Sequence, residues 1–496
     1  MDIGFASATR LAAMIRRREI GCLELLDHFI ARVAALDGPI NAVVVRDFDR
    51  ARDRARRMDS AADRRGPLFG VPMTAKESFD VAGLPSTHGH LAAKGHRAKI
   101  SGLAIRRLEA GGAIVFGKTN VPVDLADWQS YNPVYGTTCN PWNLDHTPGG
   151  SSGGSAAALA AGLTALEIGS DIGGSIRVPA HYCGVFGHKP TWTLCPNHGD
   201  PETRPMAPTD LAVSGPLARS AGDLALALDL MAGPNPDETA LTYNLPPPRA
   251  ASLKTLRVAV WSHQPGQATD AETVAAIEAM ADHLERLDAT VSRTARPAFD
   301  PLEAFHLYLQ ALDSAWSARM TDEILTAKRA RLKTLDPADT SADAVMARVT
   351  DMPHRDWLIL NERRIRSRRL WSVFFREWDV LLTPAINTAA LPHMQEGATM
   401  AGGTRRRHIQ SGQPWERRLT VDGREIAYND MLFWPGLTAG CHLPATVVPI
   451  ALNRAGLPIG VQVSGPIYGD RTTIAAASLF EQAGYGFRPP PVWTGA

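Results

Sequence analysis

Two glycine–serine turns bracket one short apolar stretch of this chain. Gly149-Gly150-Ser151-Ser152-Gly153-Gly154 comes first, Gly173-Gly174-Ser175 second, and Ala156–Leu166 lies between them. Glycine pairs cost conformational entropy, so they concentrate where a backbone must turn tightly or pass close to another group. One Gly-Gly-Ser is only a tight turn. Two of them around a single helical stretch, with Lys76 upstream at the end of the apolar run Phe69–Ala75, describe a catalytic pocket with a candidate base. The flanks Thr74, Ala75 and Phe79 suit a lysine held in a largely apolar setting.

Two familiar patterns nearby fail on their own mechanics. Gly112-Ala-Ile-Val-Phe-Gly117-Lys118-Thr119 fits the phosphate-loop spacing. Such a loop must be polar and must lead directly into a helix facing the anion. Here the four intervening residues are apolar, and Asn120-Val121-Pro122 stops a helix from starting at Lys118. The segment reads as a buried strand ending in a turn. Gly149-Gly150-Ser151-Ser152-Gly153 fits the nucleophile elbow, which requires a strand before it. Pro141–Pro148 is not one.

The remaining pattern predicts an α/β fold. Helical periodicity runs through 7–36, split at Gly21, with Leu11, Met14 and Ile15 and then Leu25, Leu26, Phe29, Ile30 and Val33 as apolar faces. Strand-like runs are Ile40–Val45, Phe69–Ala75, Ala113–Phe116, Leu256–Trp261, Val380–Thr383, Ala445–Val448 and Ile459–Val463. Helical stretches Ala271–Leu287, with Asp270 as N-cap, and Thr472–Ala483 interleave with them. Residues 300–425 read as a variable helical insertion near the substrate site, ending in loops with Gly402-Gly403.

Lys and Arg number 52 against 51 Asp and Glu, a net charge of +1. That balance removes the electrostatic reason to expect nucleic acid or an anionic membrane as partner. The run Arg363, Arg364, Arg366, Arg368 and Arg369 reads as a solvated helix face opposite Leu360, Ile365, Leu370 and Phe374. Five scattered cysteines, with no Cys-x-x-Cys and no His-Glu-x-x-His, signal neither a disulfide scaffold nor a zinc site. Ala156–Leu166 is shorter than the roughly 20 residues of a membrane span, and the N-terminus lacks a signal peptide's apolar stretch. A cytoplasmic protein is expected.

Three longer segments follow one another: Pro148-Gly-Gly-Ser-Ser-Gly-Gly154, Gly169-Ser-Asp-Ile-Gly-Gly-Ser-Ile-Arg-Val-Pro179 and Gly184-Val-Phe-Gly-His-Lys-Pro190. Gly70-Val-Pro72 with Lys76, Asn140-Pro-Trp142 and Gly456-Leu-Pro-Ile-Gly-Val-Gln462 accompany them. In these residues the chain resembles the amidase signature family of serine hydrolases, with 60–235 and 378–496 as the family-type core. The resemblance implies a single α/β domain over 1–496, with a mixed twisted sheet covered by helices on both faces. It implies Ser175 as nucleophile, Ser151 as bridging hydroxyl and Lys76 as base, with a cis peptide before Ser151. The backbone N–H groups of Ile172, Gly173, Gly174 and Ser175 would form the oxyanion hole. The chemistry is coherent: a serine needs a base to take its proton. A lysine can be that base only if its value, ordinarily about 10.4, falls to about 7–8.

Asp171 and Arg177 are expected to brace the second turn as an ion pair, and His88, His90, His146, His181 and His188 to stay outside the chemistry. In the family the loop Asp127–Asn132 flanks the acyl site, which makes Trp128, Gln129 and Tyr131 candidate substrate contacts. Tyr428, Asp430 and Phe433, with Trp434, are candidates for the far wall. No metal or organic cofactor is expected, and the expected partner is a small-molecule amide; a homodimer is left open. The leading activity is hydrolysis of a small or aryl carboxamide through an acyl-enzyme. The alternatives are a carbamate- or ester-cleaving relative and the glutaminase subunit of a tRNA-dependent amidotransferase. Asp430 stands where such a glutaminase carries an acid for the glutamine amino group, but 395–412 holds no Tyr-Asp-Gly-Val-Arg-type stretch for the carboxylate. A non-catalytic binding protein on the same scaffold is disfavoured by the presence of Lys76, Ser151 and Ser175 together.

Overall fold

The computed structural model describes residues 2–196, 199, 207–394 and 417–491. Gly402-Gly403 and 395–412 lie outside the described residues. Eight strands form one mixed sheet in the order Thr290–Ser292, Arg257–Val260, Val380–Pro384, Pro458–Ser464, Ala445–Leu452, Phe186–Lys189, Val213–Ala218 and Glu167–Asp171. The first three strands run parallel and the other pairings are antiparallel.

The two-residue period of a strand sends its side chains to opposite faces. Val258 and Val260, Val380 and Leu382, and Val448 enter one core with the helices Ala271–Arg286, Asp470–Gln482 and Ala221–Met231. Ala259 and Leu381 enter a second core on the other face, built with the helices Pro301–Ser317, His354–Glu377 and Phe433–Ala439. Both faces are therefore covered, and the architecture is a single α/β domain.

A smaller sheet orders Val43–Arg46, Ile114–Thr119 and Pro72–Lys76. It abuts the large one where the Thr74 N–H donates to Thr164 Oγ1 (3.0 Å) and to Leu166 O (3.4 Å). This junction carries the end of Pro72–Lys76 to the edge strand Glu167–Asp171. Gly112–Thr119 is indeed a buried strand and its approach.

The structure departs from the sequence reading in two places. Glu167–Asp171, Phe186–Lys189 and Val213–Ala218 are strands that no apolar run announces; their glycines and polar residues adopt the conformation because neighbours pair with them. Ile40 ends a helix, Cys22–Ile40, instead of opening a strand, because Asp37 turns its carboxylate onto the N–H groups of Ala42 (2.7 Å) and Val43 (3.0 Å). Helices of the segment 300–425 build the second core, and Val380–Pro384 is an inner strand of the large sheet.

The arginine run sits on the helix His354–Glu377 but is not uniformly solvated. Arg364 is buried and pairs with Asp210 at 2.6 Å, and Arg368 meets His442 at 2.5 Å, whereas Ile365 and Leu370 are only half-buried. An acid already inside the fold drew Arg364 inward. All five cysteines are buried. Among the described residues no helix is long and apolar enough to cross a membrane.

Asp223 ties the N-terminus to this core. It is buried in Ala221–Met231 and accepts from the N–H groups of Ala8 and Thr9 (2.8 Å each) and from Thr9 Oγ1 (2.6 Å), at the positive end of the helix Ala8–Arg16. Asp223→Ala should lower unfolding stability by about 3 kcal/mol in urea denaturation, because several buried donors lose a charged acceptor together.

Candidate active site

Lys76 closes the strand Pro72–Lys76 and is fully buried. Its Nζ lies 2.7 Å from Ser151 Oγ, 2.9 Å from Ser152 Oγ, 2.9 Å from Ser170 Oγ and 3.3 Å from Ser170 O. Burial pulls the amine down to about 7, against the pull of the Asp171 and Glu167 carboxyls. Glu167 sits on the neighbouring strand, where the Thr74 hydroxyl donates to it, and burial pushes its carboxyl up to about 8. Burial thus favours the protonated form of the nearby acid, which weakens its pull on the lysine.

Ser151 and Ser152 precede the helix Gly153–Ala160, and the Gly150–Ser151 peptide is cis. A Cβ on Gly150 would overlap Asp127 O, so only glycine lets the 127–132 loop pass beside Ser151. Ser175 follows the second turn, just before the helix Arg177–Cys183. The Ser152 N–H donates to Ser175 O at 3.1 Å and joins the two turns. Lys76, Ser151 and Ser175, distant in sequence, thus converge. The Ser175 hydroxyl makes no hydrogen bond to described residues, Ser151 included, and is the most exposed of the three at 6%.

Asp171 and Arg177 form a fully buried pair at 2.9 Å. Burial works to raise the Asp171 carboxyl, but the charge and hydrogen bonds of Arg177 hold it well below the usual carboxylate range. Arg177 is held in turn by Pro435 O (2.8 Å), Thr438 Oγ1 (3.0 Å) and Gln462 Oε1 (2.6 Å). Asp171 also accepts the N–H of Gly174 at 2.8 Å. Of the four N–H groups expected to face an oxyanion, that of Gly174 is thus occupied, while those of Ile172, Gly173 and Ser175 make no hydrogen bond to described residues. Gly174 has φ +101, which L side chains rarely adopt.

The candidate substrate residues divide by what they touch. Trp128 donates from Nε1 to Gly173 O at 3.0 Å and packs its ring on Tyr428, centroids 5.1 Å apart. Tyr131 and Tyr428 both donate to the Asp127 carboxylate, at 3.2 and 2.7 Å, and Arg417 pairs with the same carboxylate at 2.7 Å. Asp430 accepts the Ala427 N–H (3.0 Å) and caps the turn Tyr428–Leu432, and burial raises its carboxyl. Phe433 is fully buried in the second core between Phe305 and Trp434. Gln129 differs from these. It is buried, its Oε1 accepts from the Met394 N–H at 2.7 Å, and its Nε2 has no partner among the described residues.

Sequence reasoning missed Ser152 and Ser170, although both lie inside the recognised motifs, because their roles depend on where Lys76 Nζ ends. It missed Tyr308, from the helix Pro301–Ser317, because no motif surrounds it; its hydroxyl donates to Ile172 O at 3.2 Å. His181 lies between Gly460 O and Thr388 O, and His188 between Thr446 Oγ1 and Asp470, all structural partners.

Lys76 and the two glycine–serine turns that carry Ser151 and Ser175 thus meet in one buried place. The chain belongs to the amidase family, whose model (Amidase) matches residues 24–474. It is 31% identical over 493 residues to the indoleacetamide hydrolase of Bradyrhizobium diazoefficiens, covering 96% of this chain and 86% of that one. It is 30% identical over 504 residues to one subunit of the glutamyl-tRNA(Gln) amidotransferase of Moorella thermoacetica, covering 97% of each. A solved structure of 6-aminohexanoate cyclic dimer hydrolase superposes with a TM-score of 0.76 at 28% identity, over 97% of both chains.

The Lys76 environment predicts a pH signature in stability. Below about 7 the folded and unfolded chains both hold the proton; between about 7 and 10.5 only the unfolded chain does. Stability from this group therefore rises with pH across that window, by up to about 1.4 kcal/mol per pH unit. In urea unfolding between pH 7 and 9, wild type should gain about 2 kcal/mol more than Lys76→Met.

Proposed function

We propose that this protein hydrolyses the C–N bond of a small or aryl carboxamide through an acyl-enzyme on Ser175. The observation that carries the proposal is the 2.7 Å contact between Lys76 Nζ and Ser151 Oγ in a buried site tied to Ser175 by the Ser152 N–H. Neutral Lys76 takes the proton of Ser151, and Ser151 takes that of Ser175 as its Oγ attacks the carbonyl carbon. The carbonyl π pair moves to oxygen, where the N–H groups of Ile172, Gly173 and Ser175 receive the charge; each such donor is typically worth about 3 kcal/mol. The proton returns from Lys76 through Ser151 to the amide nitrogen, the C–N bond breaks, and ammonia or an amine leaves. Water then attacks the ester by the same route and frees the carboxylic acid and Ser175. An aryl acyl group is supported by the likeness to an indoleacetamide hydrolase.

A second reading, a glutaminase half of an amidotransferase, is favoured by the comparable likeness to the glutamyl-tRNA(Gln) amidotransferase relatives. Against it, one oxygen of the Asp430 carboxylate is engaged in capping its own turn.

Ammonia release from indole-3-acetamide, benzamide and glutamine separates the two readings; turnover of glutamine above the aryl amides would reverse their order. Ser175→Ala should lower kcat/KM for the best amide at least about 1,000-fold with thermal unfolding unchanged; full activity in that variant would end the serine mechanism.

Because Lys76 must be neutral, kcat/KM should rise with pH and level off above about 7, falling about tenfold per unit below it. A pH–rate profile flat from 5 to 9 would contradict this assignment of the base.

A further inference from the structure

The turn that would receive the oxyanion is held from outside by two side chains whose polar atoms point at consecutive carbonyls. The Tyr308 hydroxyl donates to Ile172 O at 3.2 Å, and Trp128 Nε1 donates to Gly173 O at 3.0 Å. In a trans peptide plane the carbonyl and the next N–H point in opposite directions. Fixing Ile172 O on Tyr308 therefore turns the Gly173 N–H away from Tyr308. The plane between Gly173 and Gly174 is pinned at both ends, by Trp128 on its carbonyl and by Asp171 on its N–H at 2.8 Å.

Tyr308 has a built seat. It is fully buried, and a Cβ on Gly436 would overlap its ring, while one on Gly440 would press on its Cβ at 3.0 Å. Gly173 has the same relation to the hydroxyl, where a Cβ would come to 3.0 Å. The ring thus passes over Gly436 and Gly440, at the helix Phe433–Ala439 and its end, to reach a third glycine in the turn.

We infer that Tyr308 and Trp128 are positioning residues: Tyr308 aims the Gly173 N–H at the substrate carbonyl, and Trp128 fixes the next peptide plane and with it the shape of the oxyanion turn. Their hydrogen bonds to the turn go to backbone carbonyls, so they act through the backbone. Tyr308 comes from a helix of the second core, so the packing of that core is coupled to transition-state stabilisation as well as to the fold. This inference rests on the serine-hydrolase reading above.

The test compares wild type, Tyr308→Phe, Trp128→Phe and Ser175→Ala for kcat, KM, melting temperature and inhibition by phenylboronic acid, which becomes tetrahedral when a serine oxygen adds to boron. Tyr308→Phe keeps the ring in its seat and removes only the hydroxyl. Its kcat should fall about tenfold with KM within about twofold, and the boronate inhibition constant should rise about tenfold with little change in melting temperature. Trp128→Phe should behave alike. Unchanged kcat and unchanged boronate inhibition in both variants would overturn the inference. So would a loss of activity that follows the melting temperature and leaves boronate inhibition untouched, since that is packing alone. Turnover retained in Ser175→Ala would remove the underlying reading and this inference together. Serine-dependent turnover with a wild-type-like Tyr308→Phe removes only the inference.

Discussion

The buried pair Asp171–Arg177 is the interaction on which the site's geometry depends. Asp171 ends the edge strand of the large sheet, and its two oxygens receive the N–H groups of Gly174 and Ile176 as well as the guanidinium. Arg177 extends the hold to Pro435, Thr438 and Gln462, residues from the C-terminal part of the chain. A buried ion pair contributes little net stability after desolvation. What it supplies here is geometry. With the carboxylate and the guanidinium both held this way, the turn between strand and helix has one arrangement, and Ser175 has one place.

Around that fixed turn the charges are arranged so that the lysine can be neutral. Lys76 lies in a nest of serine hydroxyls, groups that hydrogen-bond an amine in either protonation state. Of the two acids that would stabilise its charge, Glu167 is not paired with a cation, and burial favours the protonated form of that carboxyl too. Asp171, the acid that stays ionised, is answered by Arg177. Burial thus acts on three groups, and its effect on Lys76 is to favour the neutral amine. The Asp127 carboxylate is enclosed by Arg417, Tyr131 and Tyr428 and holds the neighbouring loop in place.

Much of the fold was legible wherever hydrophobic period and local signals agree. The helix pair split at Gly21, the cap at Asp270 and the buried strand after Gly112 all follow from residues close in sequence. Glu167–Asp171 and Val213–Ala218 were not legible, because Glu-Ile-Gly-Ser-Asp and Val-Ser-Gly-Pro-Leu-Ala become strands through pairing and burial on both sides. Nor was the inward turn of Arg364, which depends on Asp210, 154 residues away. The second core escaped for the same reason. Its members from 300–390 and 419–443 have no common local pattern, only a common face of the sheet to cover.

For the site, the sequence alone brought out the candidates Lys76, Ser151 and Ser175, and glycines where a backbone had to bend or be passed closely. It could do so because those demands are local, set by a turn, a neighbouring glycine or an apolar flank. Tertiary structure alone decided how they are used. It placed Ser152 and Ser170 on the lysine, gave the Gly174 N–H to Asp171, turned Trp128 beneath the turn instead of leaving it as a free wall, and brought in Tyr308 from a distant helix. Hydrogen bonds act over about 3 Å, and no spacing in a chain reveals which atoms will come that close until the sheets and both cores have packed.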